Sequence, residues 1–324
     1  MNAARKLVCL DGATLYGAVD QAWEAFAAEG IEIVVYDRTP PGEVAARLAG
    51  ADYALTNKTP ITAATIAACP GLKYIGVLAT GYNIVDTSAA AAAGVAVTNV
   101  PAYSTSSVAQ TAIALLLALA QQVETYGRLD SQGRWSACPD FHYRLSSWHE
   151  LAGKTFGVVG FGNTGRATAA IAAALGMKVA VATSKDAASL PEGYRKTDVD
   201  ELFATCDVVS LHCPLTPDTA SMVDASRLAT MRPGAMLINT ARGQLVDEQA
   251  LAAALNEGRI AGAGLDVLCQ EPPQADNPLL SAPHCIVTPH MAWSSAEARQ
   301  RLTEEAAENF HAFLRGERRN TVAG

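Results

Sequence analysis

Thr155-Phe156-Gly157-Val158-Val159-Gly160-Phe161-Gly162-Asn163-Thr164-Gly165 is the stretch whose reading decides the fold. A short run rich in Val and Phe breaks into glycines, and an alanine-rich helical pattern, Arg166 to Leu175, follows at once. Strand, glycine turn and helix in that order form a Rossmann unit. Gly160 permits the tight turn, Gly162 lets the backbone approach a pyrophosphate, and Gly165 lets the helix close on the strand. The amides of Asn163, Thr164 and Gly165, at the start of that helix, then face the phosphates. A bare glycine pattern also occurs in ordinary loops. Its position between a buried strand and a helix marks a dinucleotide site.

Outward from this unit the same alternation runs in both directions. Upstream, Leu7 to Leu10, Ile31 to Tyr36, Tyr53 to Thr56, Tyr74 to Leu78 and Val95 to Val97 read as strands. Helical patterns lie between them at Val19 to Ala28, Val44 to Leu48, Ala63 to Ala68 and Thr87 to Ala93. Downstream, strands are predicted at Lys178 to Ala182, Asp207 to His212, Ala235 to Asn239, Gly262 to Val267 and Cys285 to Thr288. Helices are predicted at Val199 to Ala204, Ser226 to Thr230 and Glu248 to Glu257. Such alternation implies parallel sheets covered by helices on both faces. The fold class is therefore α/β: two doubly wound parallel-sheet domains, the Rossmann dinucleotide-binding domain inserted into a flavodoxin-like substrate domain.

Ser106 or Ser107 can cap a long helix from Val108 to about Glu124. It is apolar nearly all round, which predicts burial between domains or between subunits. Residues 127–150, with Trp135, Phe141 and Trp148, are aromatic and irregular and read as an arm or subunit contact, or as a plain surface loop. Ser294-Ser295-Ala296-Glu297 has capping-box spacing and opens a final helix to Leu314. With the second sheet complete before it, this helix is expected to pack on the first domain. The substrate domain is then 1–100 with 294–324, and the dinucleotide domain 101–293. Two chain crossings make a hinge, with a cleft where substrate meets cofactor.

Composition bounds the partners. The chain has 324 residues, half of them hydrophobic and 17% charged, too long for a single core and too apolar for disorder. A net charge of −8 argues against nucleic acid or an anionic membrane. Seven cysteines are scattered without a C-x-x-C pair, as reduced thiols in a cytoplasmic protein are, and no metal site is expected. Residues 1–6 run into a strand without a signal-peptide core, and the most apolar helix falls short of the about 20 residues that span a bilayer.

Where the second Rossmann strand ends, an acidic residue would accept hydrogen bonds from the adenosine ribose and repel a 2′-phosphate. This chain has Thr183-Ser184-Lys185 there, and no carboxylate before Asp186. Two hydroxyls and an ammonium suit a 2′-phosphate, so the NAD(P)H cofactor leans toward NADP over NAD.

Three further segments place a polar residue where a strand gives way to a loop, the edge at which open α/β sheets hold ligands. They deliver Arg242 after Ile238-Asn239-Thr240-Ala241, Glu271 before Pro272-Pro273, and His290 after Thr288-Pro289. Arg242 can grip a carboxylate with its fork and polarise a neighbouring carbonyl. His290 can exchange an alcohol proton. Glu271 can hold the imidazole and favour its charged form, since a nearby carboxylate shifts a pKa by on the order of 1–3 units. Taken singly, each also suits a structural loop role.

From Val77 to Arg299 the sequence resembles the D-isomer-specific 2-hydroxyacid dehydrogenases. The matching stretches are Gly81-Tyr82-Asn83-Ile84-Val85-Asp86, the glycine loop, Leu211-His212-Cys213-Pro214-Leu215-Thr216, Asn239-Thr240-Ala241-Arg242-Gly243, Gly264-Leu265-Asp266-Val267 and Thr288-Pro289-His290. The resemblance implies that Arg242 binds the substrate carboxylate and carbonyl, His290 is the acid/base, and Glu271 is its partner. It implies that Val108, His212, Cys213, Pro214, Thr216, Thr240 and Ala241 line the cofactor, with Asp266 near the nicotinamide amide. Ala79, Thr80 and Gly81 would bind substrate, Thr80 and Gly81 offering backbone amides to its carboxylate. A homodimer acting on a small 2-keto or 2-hydroxy acid is expected.

Within the family, no extension beyond about residue 320 is left for a regulatory domain, which argues against an allosteric phosphoglycerate dehydrogenase. Glu271 argues against the formate-dehydrogenase-like branch, which has glutamine there. His290-Met291-Ala292-Trp293 resembles the glycerate dehydrogenase, or hydroxypyruvate and glyoxylate reductase, branch. The alternative is a non-catalytic NAD(H)-sensing, corepressor-like binding protein.

Overall fold

The computed structural model describes residues 5–15, 23–145 and 149–324. The predicted helix Val19 to Ala28 lies partly outside the described residues, and Trp148 and residues 1–4 lie wholly outside them. The chain divides into two compact units, one of residues 1–104 with 294–324 and one of residues 105–293.

The discontinuous unit is built on a six-stranded sheet. Its strands are β1 (Arg5–Cys9), β2 (Ile31–Val35), β3 (Tyr53–Thr56), β4 (Tyr74–Val77), β5 (Ala96–Thr98) and, from the chain's end, β13 (Thr321–Ala323). Their order is β13-β5-β4-β3-β1-β2. Every pair is parallel except β13 with β5. Without β13 this is the flavodoxin-like order. Sequence reading did not find β13: three residues carry no periodicity, and the strand forms because the β5 edge offers it partners. On one side of the sheet Val8, Leu10, Ala54, Ile75 and Val97 pack with Val44, Leu48 and Ile66. The helix Ala296–Leu314 also belongs to this unit, and its fully buried Phe310 sits 5.1 Å from the Tyr53 ring and 5.4 Å from the Tyr74 ring. Truncating Phe310 to Ala would cost about 3–5 kcal/mol. Ser295 caps this helix by accepting from the Ala298 amide, one residue later than the Ser294–Glu297 spacing implied.

The second unit holds seven parallel strands: β6 (Thr155–Val159), β7 (Lys178–Ala182), β8 (Arg195–Thr197), β9 (Val208–Leu211), β10 (Met236–Asn239), β11 (Gly262–Leu265) and β12 (Cys285–Val287). The order β12-β11-β10-β9-β6-β7-β8 is the doubly wound Rossmann order read from its far edge, with one strand added. β8 was also missed. Arg195-Lys196-Thr197 is polar throughout, yet it pairs with β7 in the register Val181↔Lys196 and gives the sheet a charged edge.

The long apolar helix departs from expectation in two ways. It begins at Thr105, so Ser106 and Ser107 lie inside it, and the Ser107 hydroxyl donates to the Ala292 carbonyl at 2.5 Å. It ends at Gln121, because Gln122 takes a left-handed φ of 53° and a separate helix, Val123–Ser131, starts there. One face packs within its own unit, Ala112, Ile113, Leu115 and Leu116 lying against Phe156, Val158 and Ile238, while Leu117 is exposed. Among the described residues no single helix is long and apolar enough to cross a membrane. In the aromatic segment that follows, Trp135 and Phe141 are exposed, and the Trp135 indole donates to the Phe141 carbonyl at 3.0 Å.

Candidate functional site

The second sheet changes winding direction between β6 and β9, where α/β proteins form ligand crevices. Gly160 follows β6 with φ 92°, and a Cβ there would lie 2.7 Å from both the Cys213 nitrogen and the His212 carbonyl carbon. A Cβ on Gly165 would lie 2.2 Å from the Gly160 oxygen, so the helix closes on the strand end only because Gly165 lacks a side chain. Gly162 is the opposite case, with open space above it. It stands at the N-cap of the helix Asn163–Ala174, where no side chain caps the first amides. Nearby in the fold, at the end of β10, the Thr240 hydroxyl is buried with no hydrogen-bond partner. Bare amides at a helix start, an open approach and an orphaned hydroxyl fit a dinucleotide, because each offers a polar group that such a ligand satisfies.

The other expected cofactor residues sit on the same sheet's edge or its flank. Val108 is half-buried in the first turn of the helix that opens this unit. Thr183 is half-buried at the end of β7, followed by exposed Ser184 and Lys185, with the Lys185 amide donating to the Thr183 hydroxyl at 3.2 Å. His212 turns its ring inward: Nε2 lies 2.8 Å from the Ser210 hydroxyl, and burial pushes the imidazole down to about 4, so it is neutral. Cys213 is half-buried with its sulfur 3.7 Å from that of Met222, and burial raises its thiol. Pro214 and Thr216 are exposed in a turn closed by Thr219, whose hydroxyl donates to the Pro214 carbonyl and accepts from the Thr216 amide, both at 2.8 Å.

Two of the three expected catalytic side chains touch. His290 Nδ1 lies 2.6 Å from Glu271 Oε2. A carboxylate only accepts, so Nδ1 carries the proton and Nε2 is left to face a substrate. The other Glu271 oxygen accepts the Leu268 amide at 3.1 Å, which fixes the carboxylate's direction. The dyad is partly open, with His290 and Glu271 side chains 29% and 36% exposed, so solutes can reach it.

Arg242 joins them through the backbone. The buried strand β10 ends in Asn239, which has no exposed surface. Its amide nitrogen donates to the Arg242 carbonyl at 2.8 Å and its oxygen accepts the Ala241 amide at 3.0 Å. That bridge shapes the turn from which Arg242 emerges into solvent, one guanidinium nitrogen donating to the Ala241 carbonyl at 2.6 Å. A Cβ on Gly243 would lie 2.0 Å from the Leu268 carbonyl carbon. The Arg242 loop therefore rests directly on the backbone of the Glu271 loop, which no larger residue would permit.

Asp266, at the end of β11, organises the His290 loop. One carboxylate oxygen accepts the Thr288 hydroxyl at 2.6 Å and the Met291 amide at 3.0 Å, and the other accepts the Ala292 amide at 2.9 Å. His290 has a left-handed φ of 51°, a conformation costing a non-glycine residue about 1–3 kcal/mol. The surrounding bonds to Asp266 hold it there. Burial of Asp266 raises its carboxyl above the ordinary range, against those hydrogen bonds.

On the discontinuous unit, Ala79, Thr80 and Gly81 follow β4. The Ala79 carbonyl accepts the Val100 amide at 3.0 Å, the Thr80 carbonyl accepts Asn99 Nδ2 at 2.7 Å, and the Thr80 hydroxyl donates to the Val100 carbonyl at 2.9 Å. The Ala79 and Thr80 carbonyls and the Thr80 hydroxyl are thereby engaged within this unit. The preceding strand end is equally firm: Asp11 accepts the amides of Asn57, Lys58 and Thr59 at 2.9, 2.6 and 2.7 Å.

Sequence reading assigned no task to Asn239, Gly243, Ser210 or Lys196, and none to Asp266 as the support of a loop. A polar residue closing an otherwise apolar strand was the available signal for Asn239 and Asp266. Among the described residues, no three His, Cys, Asp or Glu side chains gather as metal ligands.

The model of the D-isomer specific 2-hydroxyacid dehydrogenase NAD binding domain matches residues 113–292. The hydroxypyruvate reductase of Blautia hydrogenotrophica is 44% identical over 98% of this chain and 99% of its own length. The glycerate dehydrogenase of Methylorubrum extorquens is 42% identical over 87% of this chain and 88% of its own. Among solved structures, an acyclic imino acid reductase in complex with NADPH and D-Arg superposes with a TM-score of 0.83, at 32% identity, covering 98% of this chain and 99% of that one.

Proposed function

The chain belongs to the D-isomer-specific 2-hydroxyacid dehydrogenase family, and on that premise we propose that it reduces small 2-keto acids to D-2-hydroxy acids, with hydroxypyruvate and glyoxylate, giving glycerate and glycolate, as the favoured pairs. The His290–Glu271 pair at 2.6 Å carries this reading. NAD(P)H, when bound, supplies the hydride that reaches the carbonyl carbon. Arg242 holds the substrate carboxylate in its fork and polarises the carbonyl. In its doubly protonated form His290 gives the Nε2 proton to the carbonyl oxygen as it becomes a hydroxyl, while the Nδ1 proton stays in the bond to Glu271 and the ring is left neutral. In the oxidative direction the same ring takes that proton back.

The unit of residues 105–293 is proposed as the coenzyme domain and the discontinuous unit as the substrate domain. Gly160, Gly162, Asn163, Thr164 and Gly165 would hold the pyrophosphate, and Thr183, Ser184 and Lys185 the adenosine end. Val108, His212, Cys213, Pro214, Thr216, Thr240, Ala241 and Asp266 are proposed to line the rest of the coenzyme. Ala79, Thr80 and Gly81 are proposed to bind substrate, with the amides of Thr80 and Gly81 on its carboxylate. The absence of a carboxylate at Thr183-Ser184-Lys185 supports NADP over NAD. Exposed Trp135 and Phe141 support a homodimer, and dispersed free thiols support a cytoplasmic location. No observation favours the coenzyme-sensing binding protein.

The test is coenzyme oxidation followed at 1 mM-scale concentrations (on the order of typical KM values) of glyoxylate, hydroxypyruvate and pyruvate, each with NADH and with NADPH. Turnover with a 2-keto acid and formation of the D-hydroxy acid is the expected result. Coenzyme binding without turnover of any of them would overturn the enzymatic reading.

A further inference from the structure

The loop after β7 is tied to a second cation that lies 11 residues further along the chain. Lys196 Nζ, on the edge strand β8, donates to the Lys185 carbonyl at 2.6 Å. Lys196 pairs in register with Val181, two residues before Thr183, so its stem starts level with the end of β7. Both lysines are exposed. An ammonium has three donors, and the Lys185 carbonyl takes one of Lys196's. The other charged groups of β8 and the following helix are already matched: Arg195 pairs with Glu201, whose second oxygen accepts the Thr197 hydroxyl at 2.6 Å. Asp186 is the nearest carboxylate along the loop, and there the chain turns away into the 3-10 turn Ala187–Ser189.

The end of the second strand is where a Rossmann sheet meets the adenosine ribose, and the charge found there separates NAD from NADP. We propose that Lys196 is a specificity-determining residue, pairing with the 2′-phosphate of NADP from the β8 side while Lys185 and the hydroxyls of Thr183 and Ser184 approach from the loop. The Lys196–Lys185 bond would set the spacing of the two sides before the ligand arrives. This inference rests on the NADP reading above.

Calorimetric titration of the full chain with adenosine 2′,5′-bisphosphate and with 5′-AMP tests it without recourse to turnover. Wild-type protein should bind the bisphosphate more tightly, and that advantage should shrink as salt screens it. Lys196→Gln keeps a donor for the Lys185 carbonyl but removes the charge. It should weaken the bisphosphate about tenfold and leave 5′-AMP within about twofold, with Lys196→Arg restoring most of the loss. An unchanged preference in Lys196→Gln, with the preference lost in Lys185→Gln, would overturn the role of Lys196 while leaving the NADP reading standing. A wild-type protein that binds the two probes equally would overturn the NADP reading, and the inference with it.

Discussion

Asp266 supports His290 from its own backbone and side chain at once: its carbonyl accepts the His290 amide at 2.9 Å, and its carboxylate accepts the next two amides, Met291 and Ala292, at 3.0 and 2.9 Å. The imidazole is thereby aimed by the loop that Asp266 holds, as well as by its bond to Glu271. Asp266→Asn keeps the size but turns one acceptor into a donor facing an amide. We expect kcat to fall by about 10- to 100-fold, the cost of a misplacement near 1 Å, and the loop to become more susceptible to amide exchange. Native kcat with native exchange in residues 288–292 would remove Asp266 from this role.

His290→Ala should lower kcat by roughly 10²–10⁴, the usual worth of a general acid, with coenzyme affinity measured by fluorescence little changed. Turnover near the native value would show that the carbonyl oxygen receives its proton from elsewhere.

Arg242→Lys retains the charge and loses the planar fork. The KM for the keto acid should rise by about tenfold or more, with a smaller change in kcat. Asn239→Asp should reproduce part of this defect at a distance, because a carboxylate oxygen would face the Arg242 carbonyl that now accepts a hydrogen bond at 2.8 Å. Keto-acid KM values unchanged in both variants would separate Arg242 from substrate recognition.

Gly243→Ala should destabilise the fold by roughly 3 kcal/mol, since the added carbon would lie 2.0 Å from the Leu268 carbonyl carbon and backbone must move to admit it. Urea unfolding followed by tryptophan fluorescence reads this directly. A loss below about 0.5 kcal/mol would mean that the two loops part easily.

His212 gives a pH signature in stability. Burial lowers its folded pKa from 6.5 to about 4, so between those values the unfolded chain binds the proton and the folded chain does not. Its contribution is complete above about pH 6.5 and is lost as pH falls through 4, by roughly 3 kcal/mol in all. His212→Gln should therefore show a shallower loss of stability between pH 7 and pH 4 than the wild type. Parallel slopes would mean that the ring titrates normally in the folded protein.

Local pattern was enough for much of this protein. Apolar runs of four to six residues, helical patterns between them and a glycine turn after β6 carry their signal within a few neighbouring residues, so the fold class and the segments bearing Arg242, Glu271 and His290 could be read in one dimension. What needed the tertiary structure is every feature whose partner lies far along the chain. β8 and β13 are strands only because β7 and β5 present unpaired edges to them. The helix predicted through Glu124 breaks at Gln122, where one left-handed residue redirects a pattern that is locally still helical. Asn239 turning Arg242 outward, Asp266 carrying the His290 loop and Gly243 seating one loop on another depend on parallel strands ending side by side. Sequence determines which residues can accept, donate or leave room; the order of strands in the sheet decides which of them meet.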